Sequence, residues 1–315
     1  MLITGTFIQP YQTINKSHPP FDWTKEQWKK EFDYLKQIGI NLIIPQFSVY
    51  DNEAYYFSEL VPCITKNDQL EIILSLADER KFQIMVGLTL DSSYWYGDKP
   101  LSYWDKEVER NKKFVDELWK KFGHHSSFWG WYIPHEIDDV TAKPEPMRQL
   151  VTRLLNEISS YCHRKTPGLP VSIAPFFSNA MPPEEYEKWW IKTLQGAGID
   201  ILMLQDGVGC HRADIPRDIP PYYGAGKQAC LKTGVEFWTD LEIFDQIHCP
   251  PVDDLPLDKW DAVPADIERI KAQIETTAPY VSRITCFDFT HYMSPQMGKK
   301  QVQLFNNYKN YIKNF

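Results

Sequence analysis

The chain predicts an α/β fold, a single (β/α)8 TIM barrel over residues 1–315, and three observations carry that reading. Eight apolar, β-rich segments alternate with eight helical ones, about one pair per 40 residues over the 315. Alternation of this kind builds a parallel sheet, and eight units close it. Most of the strand-like segments end abruptly in a polar or acidic residue, and no low-complexity linker divides the chain.

The elements follow in order. The first strand is Leu2–Ile8, ending at Gln9-Pro10, and Asp22 or Thr24 caps a helix that runs through Gln37 and stops at Gly39. The second strand, Asn41–Gln46, precedes a long loop and a helix opened by Asp68 and reaching Arg80. Strand three is Gln83–Leu90, followed by the polar and aromatic loop Asp91–Gly97 and an amphipathic helix from Trp104 to Phe122. Strand four begins at Phe128 and runs through Trp129-Gly130-Trp131-Tyr132-Ile133-Pro134 to His135-Glu136, and Pro144 starts a helix that reaches Arg164. Strand five is Pro170–Pro175, and Pro182-Pro183-Glu184 opens a helix closed by Gly196 and Gly198. Strand six, Ile199–Gln205, runs into Asp206-Gly207-Val208-Gly209, with the sixth helix expected at Tyr222–Lys232. Strand seven, Val235–Leu241, ends in Glu242, and a proline-rich stretch leads to a helix at Ala265–Thr277. Strand eight, Ser282–Phe287, continues into Asp288-Phe289-Thr290-His291-Tyr292-Met293, and Ser294-Pro295 starts the last helix.

Composition removes several classes of function. The net charge is −8 and basic residues cluster only in pairs, which argues against nucleic-acid binding through phosphate neutralisation. No apolar run approaches the roughly 20 residues that span a bilayer. The start, Met1-Leu2-Ile3-Thr4, enters strand-like sequence without a basic region or cleavage site, so a cytoplasmic protein is expected unless a signal peptide has been removed. Six scattered cysteines without a CxxC pair imply free thiols rather than a metal site or disulfide framework. No cofactor and no metal are expected. A His-x-His pair is absent after strand one, and His124-His125 ends a helix where cationic side chains complement the dipole. Aromatic residues reach 14%, more ring surface than a core of this size needs, and carbohydrate sites are one destination for such an excess.

Barrel chemistry sits at the C-terminal ends of the strands and in the loops beyond them. Those positions hold Gln9, Gln46, Asp91, Glu136, Ser178, Gln205 with Asp206, Glu242, and Asp288 with His291. Glu136 and Glu242 stand out, because each ends an aromatic strand and strands four and seven face each other across a barrel. An unpaired charge on a buried strand tip costs several kcal/mol unless neighbours set its ionisation, so such acids point to function. Two facing carboxylates are the equipment of glycoside hydrolysis, one protonated to serve the leaving oxygen and one ionised to attack or stabilise the anomeric carbon. Asp240 and Glu236 share the parity of Glu242 on its strand and stand as alternatives to it. A barrel that binds carbohydrate through an aromatic mouth without cleaving it is the rival reading.

A strand-four and a strand-seven glutamate on such a barrel resembles the large superfamily of retaining glycosidases that use this pair. More closely, Trp131–Asp139, Gln205–Gly209, Trp238–Glu242 and His291–Pro295 are similar to a bacterial family of barrels described only as a domain of unknown function and grouped with glycoside hydrolases. The resemblance implies Glu136 as acid/base and Glu242 as nucleophile. It implies Gln9, Gln46, Gln205 and Asp206 as contacts to sugar hydroxyls, and Trp95, Tyr94, Tyr96, Phe244 and Tyr292 as stacking surfaces. Asp240, Asp288 and His291 join them as candidates by their strand-end positions, while Asp206 before Gly-Val-Gly equally suits a turn, Asp288 a rim salt bridge and His291 a hydrogen bond within its loop. The superfamily usually carries Asn before the strand-four glutamate to hold a sugar 2-hydroxyl, where this chain has His135, which can also donate. The implied partner is a carbohydrate, with no nucleic acid and no membrane.

Overall fold

The computed structural model describes residues 1–9, 22–95, 99–247 and 261–315. Tyr96, one of the expected stacking residues, lies outside them. Among the described residues one eight-stranded parallel sheet runs in sequence order through β1 (Gly5–Ile8), β2 (Leu42–Pro45), β3 (Gln83–Gly87), β4 (Phe128–Ile133), β5 (Val171–Ile173), β6 (Ile201–Gln205), β7 (Glu236–Glu242) and β8 (Arg283–Phe287). The last strand returns to the first through a parallel bridge between Ile3 and Ile284 and the 2.9 Å bond from Thr4 N to Ile284 O. The result is a nearly closed (β/α)8 barrel.

Helices cover its outer face: α1 (Lys25–Gln37), α2 (Gln69–Arg80), α3 (Leu101–Phe122), α4 (Glu145–Lys165), α5 (Pro183–Ala197), α6 (Ile215–Thr233), α7 (Ile267–Thr277) and α8 (Lys299–Ile312). Their starts follow local chemistry. Thr24 and Gln27 form a reciprocal capping box on α1, and Asp68, Asp214 and Asp266 accept backbone N–H groups at the starts of α2, α6 and α7.

Alternation along each strand divides two cores. Ile43, Ile84, Val86, Trp131, Ile133, Leu202, Leu204, Leu241 and Ile284 face the helices, whereas Phe7, Leu42, Ile44, Met85, Tyr132, Ile201, Met203 and Trp238 plug the barrel interior. The aromatic excess is largely consumed here: Trp28, Trp131, Trp190, Tyr132, Tyr186 and Tyr223 are among the largest fully buried side chains. Each large apolar side chain withdrawn from water contributes about 1.5–3 kcal/mol, so packing, more than a sugar site, accounts for the composition. The end of the chain is tied back as well. The Ser294 hydroxyl and the Gln296 amide both donate to buried Glu31 on α1, at 2.6 and 2.8 Å.

Three boundaries differ from expectation. Strand three stops at Gly87, and Thr89–Leu90 pairs instead with Val49–Tyr50 in a small three-stranded sheet. Helix α6 begins seven residues early, at Ile215, and carries Pro220 and Pro221 inside it. Those prolines cost two backbone donors, and an Asp214 cap with Pro216 in the first turn starts the helix upstream regardless. The last helix starts at Lys299 rather than Ser294, because Asp288 caps a separate single turn, Phe289–Tyr292, and Ser294 is drawn inward to Glu31.

Gly87 marks the closest approach of β2 and β3. A Cβ there would lie 2.2 Å from the Pro45 carbonyl oxygen and 2.3 Å from that of Gln46. Gly87→Ala is therefore expected to destabilise the fold by about 3 kcal/mol through overpacking against backbone that cannot yield, as measured by urea denaturation.

Candidate active site

Carrying the inward parity past the plug places a polar layer directly above it. Phe7 is followed by Gln9, Ile44 by Gln46, Tyr132 by Glu136 two steps on, Met203 by Gln205, and Trp238 by Asp240 and Glu242. Gln9 donates through Nε2 to Gln46 Oε1, while its own Oε1 is buried without a partner. Gln205 donates to the Ala174 carbonyl at 2.8 Å and also hydrogen-bonds the Glu136 carboxyl. The ends of β4 and β7 both carry a glutamate, and the charge of Glu242 is felt at Glu136.

The backbone around Glu136 is held from both sides. The Tyr94 hydroxyl donates to the Glu136 carbonyl, and Phe176 N donates to the Ile137 carbonyl at 3.1 Å. The next two acids are engaged by the backbone. Asp138 accepts Val140 N and Thr141 N at 2.6 and 2.8 Å, while Asp139 accepts Ser178 N, Ala180 N and Met181 N in the loop after β5. Glu136 is left facing the opening, partly exposed.

Glu242 is more enclosed, 4% exposed, and its Oε2 accepts Cys210 N at 2.7 Å. That contact depends on Gly209, where a Cβ would stand 2.4 Å from the Phe244 carbonyl oxygen and 2.9 Å from Glu242 Cβ. Helix α7 braces the same strand end. Arg269 Nη2 donates to the Glu242 and Phe244 carbonyls at 3.0 and 2.6 Å, and Gln273 Nε2 reaches the Glu242 carbonyl at 3.2 Å.

Burial raises both glutamates, and different neighbours modulate each. Burial pushes the Glu136 carboxyl up to about 7, the Gln205 amide and Arg212 pull it down, and Glu242 raises it again. Burial also raises Glu242, against the Cys210 amide and the cations Arg212 and Arg269, which favour its ionised form. Beneath them Asp206 is raised to about 7 by burial and by Glu242, and Asp240 is raised by burial, Asp206 and Glu242. Four acids this close cannot all carry charge. Arg212, stacked on Phe176 with its guanidinium carbon 4.4 Å from the ring centre, is the cation whose charge bears on both glutamates.

Several residues expected to touch sugar are occupied by the scaffold instead. His135 turns away from the axis: its Nε2 lies 3.1 Å from Glu107 on α3 and its ring is edge-on to Tyr94 at 5.1 Å. The position before the strand-four glutamate therefore packs against a helix. Asp206, fully buried, accepts Val208 N, Glu242 N and the Gln273 amide, and fixes the β6 loop against β7. Asp288 accepts both the amide N and Nδ1 of His291, each at 2.7 Å, as the cap of its turn. Phe244 and Tyr292 lie tilted against one another at 5.2 Å and are 3% and 1% exposed, so their rings are spent on packing. Tyr292 still lies within electrostatic reach of Glu242. Asp240 sits one layer deeper than Glu242, where its carboxyl accepts the Thr285 hydroxyl at 3.2 Å. Trp95 joins Phe47, Tyr50, Leu90 and Tyr94 in an aromatic cluster beside the β3 end. Sequence reading passed over Arg212, Cys210, Arg269 and Gln273. The first two lie only a few residues beyond the Gly-Val-Gly turn that it singled out, while the α7 pair carries no local signal.

Comparison with known proteins follows this geometry. Residues 3–299 match the family model DUF4434, a domain of unknown function. The chain belongs to the DUF4434 family. Among solved structures it is similar to a "putative alpha-L-fucosidase" from Bacteroides thetaiotaomicron VPI-5482, at 26% identity and a TM-score of 0.82, over 99% of this chain and 93% of that one. It is also similar in fold to alpha-L-fucosidase isoenzyme 2 from Paenibacillus thiaminolyticus, at 12% identity and a TM-score of 0.58, over 99% of this chain and 49% of that one. A curated relative, the uncharacterized protein YbcH of Escherichia coli (strain K12), is 23% identical over 198 residues, 59% of this chain and 60% of that protein. This DUF4434 barrel thus has structural neighbours among the glycoside hydrolases. No helix among its described residues is long and apolar enough to cross a membrane.

The raised carboxyl of Glu136 links site and stability. Its folded pKa, about 7, lies above the ordinary 4.5, so the folded state keeps the proton longer and loses stability as pH rises through about 7. A shift of this size corresponds to at most about 3 kcal/mol, and solvent at the mouth lowers that to about 1–2 kcal/mol. Glu136→Gln is expected to be more stable than the parent by that amount at pH values above about 8, with the difference vanishing below the ordinary carboxylate range. Denaturant titrations at both ends of the pH scale measure it.

Proposed function

We propose that this DUF4434 protein is a retaining glycoside hydrolase acting on an oligo- or polysaccharide, with Glu136 as acid/base and Glu242 as nucleophile. The observation that carries the reading is the electrostatic influence of Glu242 on Glu136, with different neighbours around each carboxyl. Glu136 is raised to about 7 beside a neutral amide, so it holds a proton near neutrality. Glu242 receives a backbone N–H and the influence of two arginines, the surroundings of a working carboxylate. The 26% identical neighbour described as a putative alpha-L-fucosidase supports the same chemistry.

In the first half-reaction Glu136 protonates the glycosidic oxygen while Glu242 attacks the anomeric carbon, giving a covalent glycosyl ester and the free leaving sugar. In the second, water attacks that carbon, Glu136 takes its proton, and Glu242 leaves as carboxylate. The carboxamides of Gln9, Gln46 and Gln205 supply donors and acceptors for sugar hydroxyls, and Trp95 supplies a stacking face. Arg212 limits the charge that builds between the two glutamates.

The test is turnover of an aryl glycoside panel that includes α-L-fucosides. Glu136→Gln and Glu242→Gln should each lower kcat by roughly 10²–10⁴-fold while sugar affinity persists. A 2-deoxy-2-fluoro glycoside should label Glu242; a label on Asp240 moves the nucleophile one layer down. Oligosaccharide binding with no turnover of any glycoside would leave a carbohydrate-binding barrel. Because Glu136 must carry its proton in the first step, kcat/KM should fall as pH rises past about 7, and Glu136→Gln should abolish that limb.

A further inference from the structure

On the flank between α2 and the turn into β4, at the end of the barrel opposite the mouth, three side chains converge that the glycosidase reading does not use. Glu71 on α2 and His124 and His125 after α3 each offer one ligand atom, and the three atoms lie within 4.8 Å of one another. Helix α3 ends at Phe122, Gly123 caps it, and the chain then turns His125 inward against α2. The two imidazoles lie 4.1 Å apart, tilted by 37°.

The arrangement around them is built. The His125 ring, its side chain 5% exposed, has Nδ1 2.7 Å from Asp78 Oδ2. Asp78 is itself held by Ser126 Oγ and Ser127 N, at 2.9 and 2.7 Å through its other oxygen. A carboxylate on one ring nitrogen fixes the tautomer so that Nε2 presents its lone pair, the usual outer support of a metal-bound histidine. His125 Nε2 lies 3.4 Å from Glu71 Oε2. Ser75 Oγ donates to the other Glu71 oxygen at 2.9 Å and so orients this one. Two ligands bound at about 2.0–2.1 Å to one tetrahedral ion stand about 3.4 Å apart, which is the spacing found. His124 is exposed, and its ligand atom lies within 4.8 Å of the other two.

We propose that Glu71, His124 and His125 form a zinc(II) site, with Asp78 supporting His125 and water filling the open fourth position. Two nitrogens and one carboxylate oxygen match the ligand preference of that ion. The site joins α2 to the segment entering β4, and it revises the expectation from sequence that His124-His125 merely ends a helix. The rival is an imidazolium held between two carboxylates, which needs no metal and no His124.

Titration of the metal-free full chain with zinc chloride near neutral pH, followed by calorimetry, decides between them. One equivalent should bind with micromolar or tighter affinity, and the melting temperature should rise. Cobalt(II) should give the intense visible absorption of a four-coordinate ion. His124→Ala and Glu71→Gln should each lower zinc affinity at least tenfold and abolish the melting shift. His124 is exposed and Glu71 partly so, which leaves both variants able to fold, as circular dichroism verifies. Asp78→Asn should weaken binding by about 10–100-fold. Absence of stoichiometric zinc uptake overturns the proposal, and so does unchanged affinity in His124→Ala or Glu71→Gln. Glycoside turnover is a separate readout, since none of these residues belongs to the mouth.

Discussion

The crowding of acids over a sealed apolar plug is the constraint that organises the rest of the molecule. Burial raises Glu136, Asp206, Asp240 and Glu242, and the charge of Glu242 raises the other three further. Left alone, such a cluster would open the barrel mouth or stay fully protonated. It is held by countering elements close at hand: Arg212 over Phe176, Arg269 from α7, the Cys210 amide, and the carboxamides of Gln205 and Gln273. The buried acids are therefore the proposed chemistry and a large electrostatic cost at once, and much of the loop structure around them answers that cost.

Most of that answer comes from the β6–β7 side. Asp206 ties the loop after β6 to the backbone of β7, and Gln273 ties both to a helix. On the β4–β5 side Asp139 does the equivalent work with three amides. Buried carboxylates with fully engaged oxygens make good clamps, because losing even one partner would leave a charge without solvation. The result is a mouth whose two glutamates, Glu136 and Glu242, sit at strand ends fixed by neighbours on more than one element.

Much of this architecture is written locally, and some of it is not. The βα rhythm, the caps at Thr24 and Asp68 and the placement of Glu136 and Glu242 at strand ends follow from periodicity and turn chemistry alone. Parity also puts Gln9, Gln46 and Gln205 on the inner face. For His135, Asp206 and Asp288 sequence leaves the choice open, because a polar residue at a strand end looks alike whether it faces a pocket or a helix. The deciding partners, Glu107, Gln273 and His291, are known only once the chain is folded. Arg269 and Gln273 were invisible for the same reason: they reach the site from the flank of a helix whose sequence reads as ordinary amphipathic surface. The proline pair in α6 misled in the opposite sense, as a local rule overridden by a strong start upstream.

Gly209 leaves space for hydrogen alone between the Phe244 carbonyl and the Glu242 side chain. The Cys210 amide is consequently locked onto that carboxylate by backbone rather than by a side chain with rotamers to lose. Loop and strand tip are thereby coupled as one stiff body, so a ligand reaching Glu242, as the proposed reaction requires, would meet a carboxylate already oriented, with little entropy left to surrender.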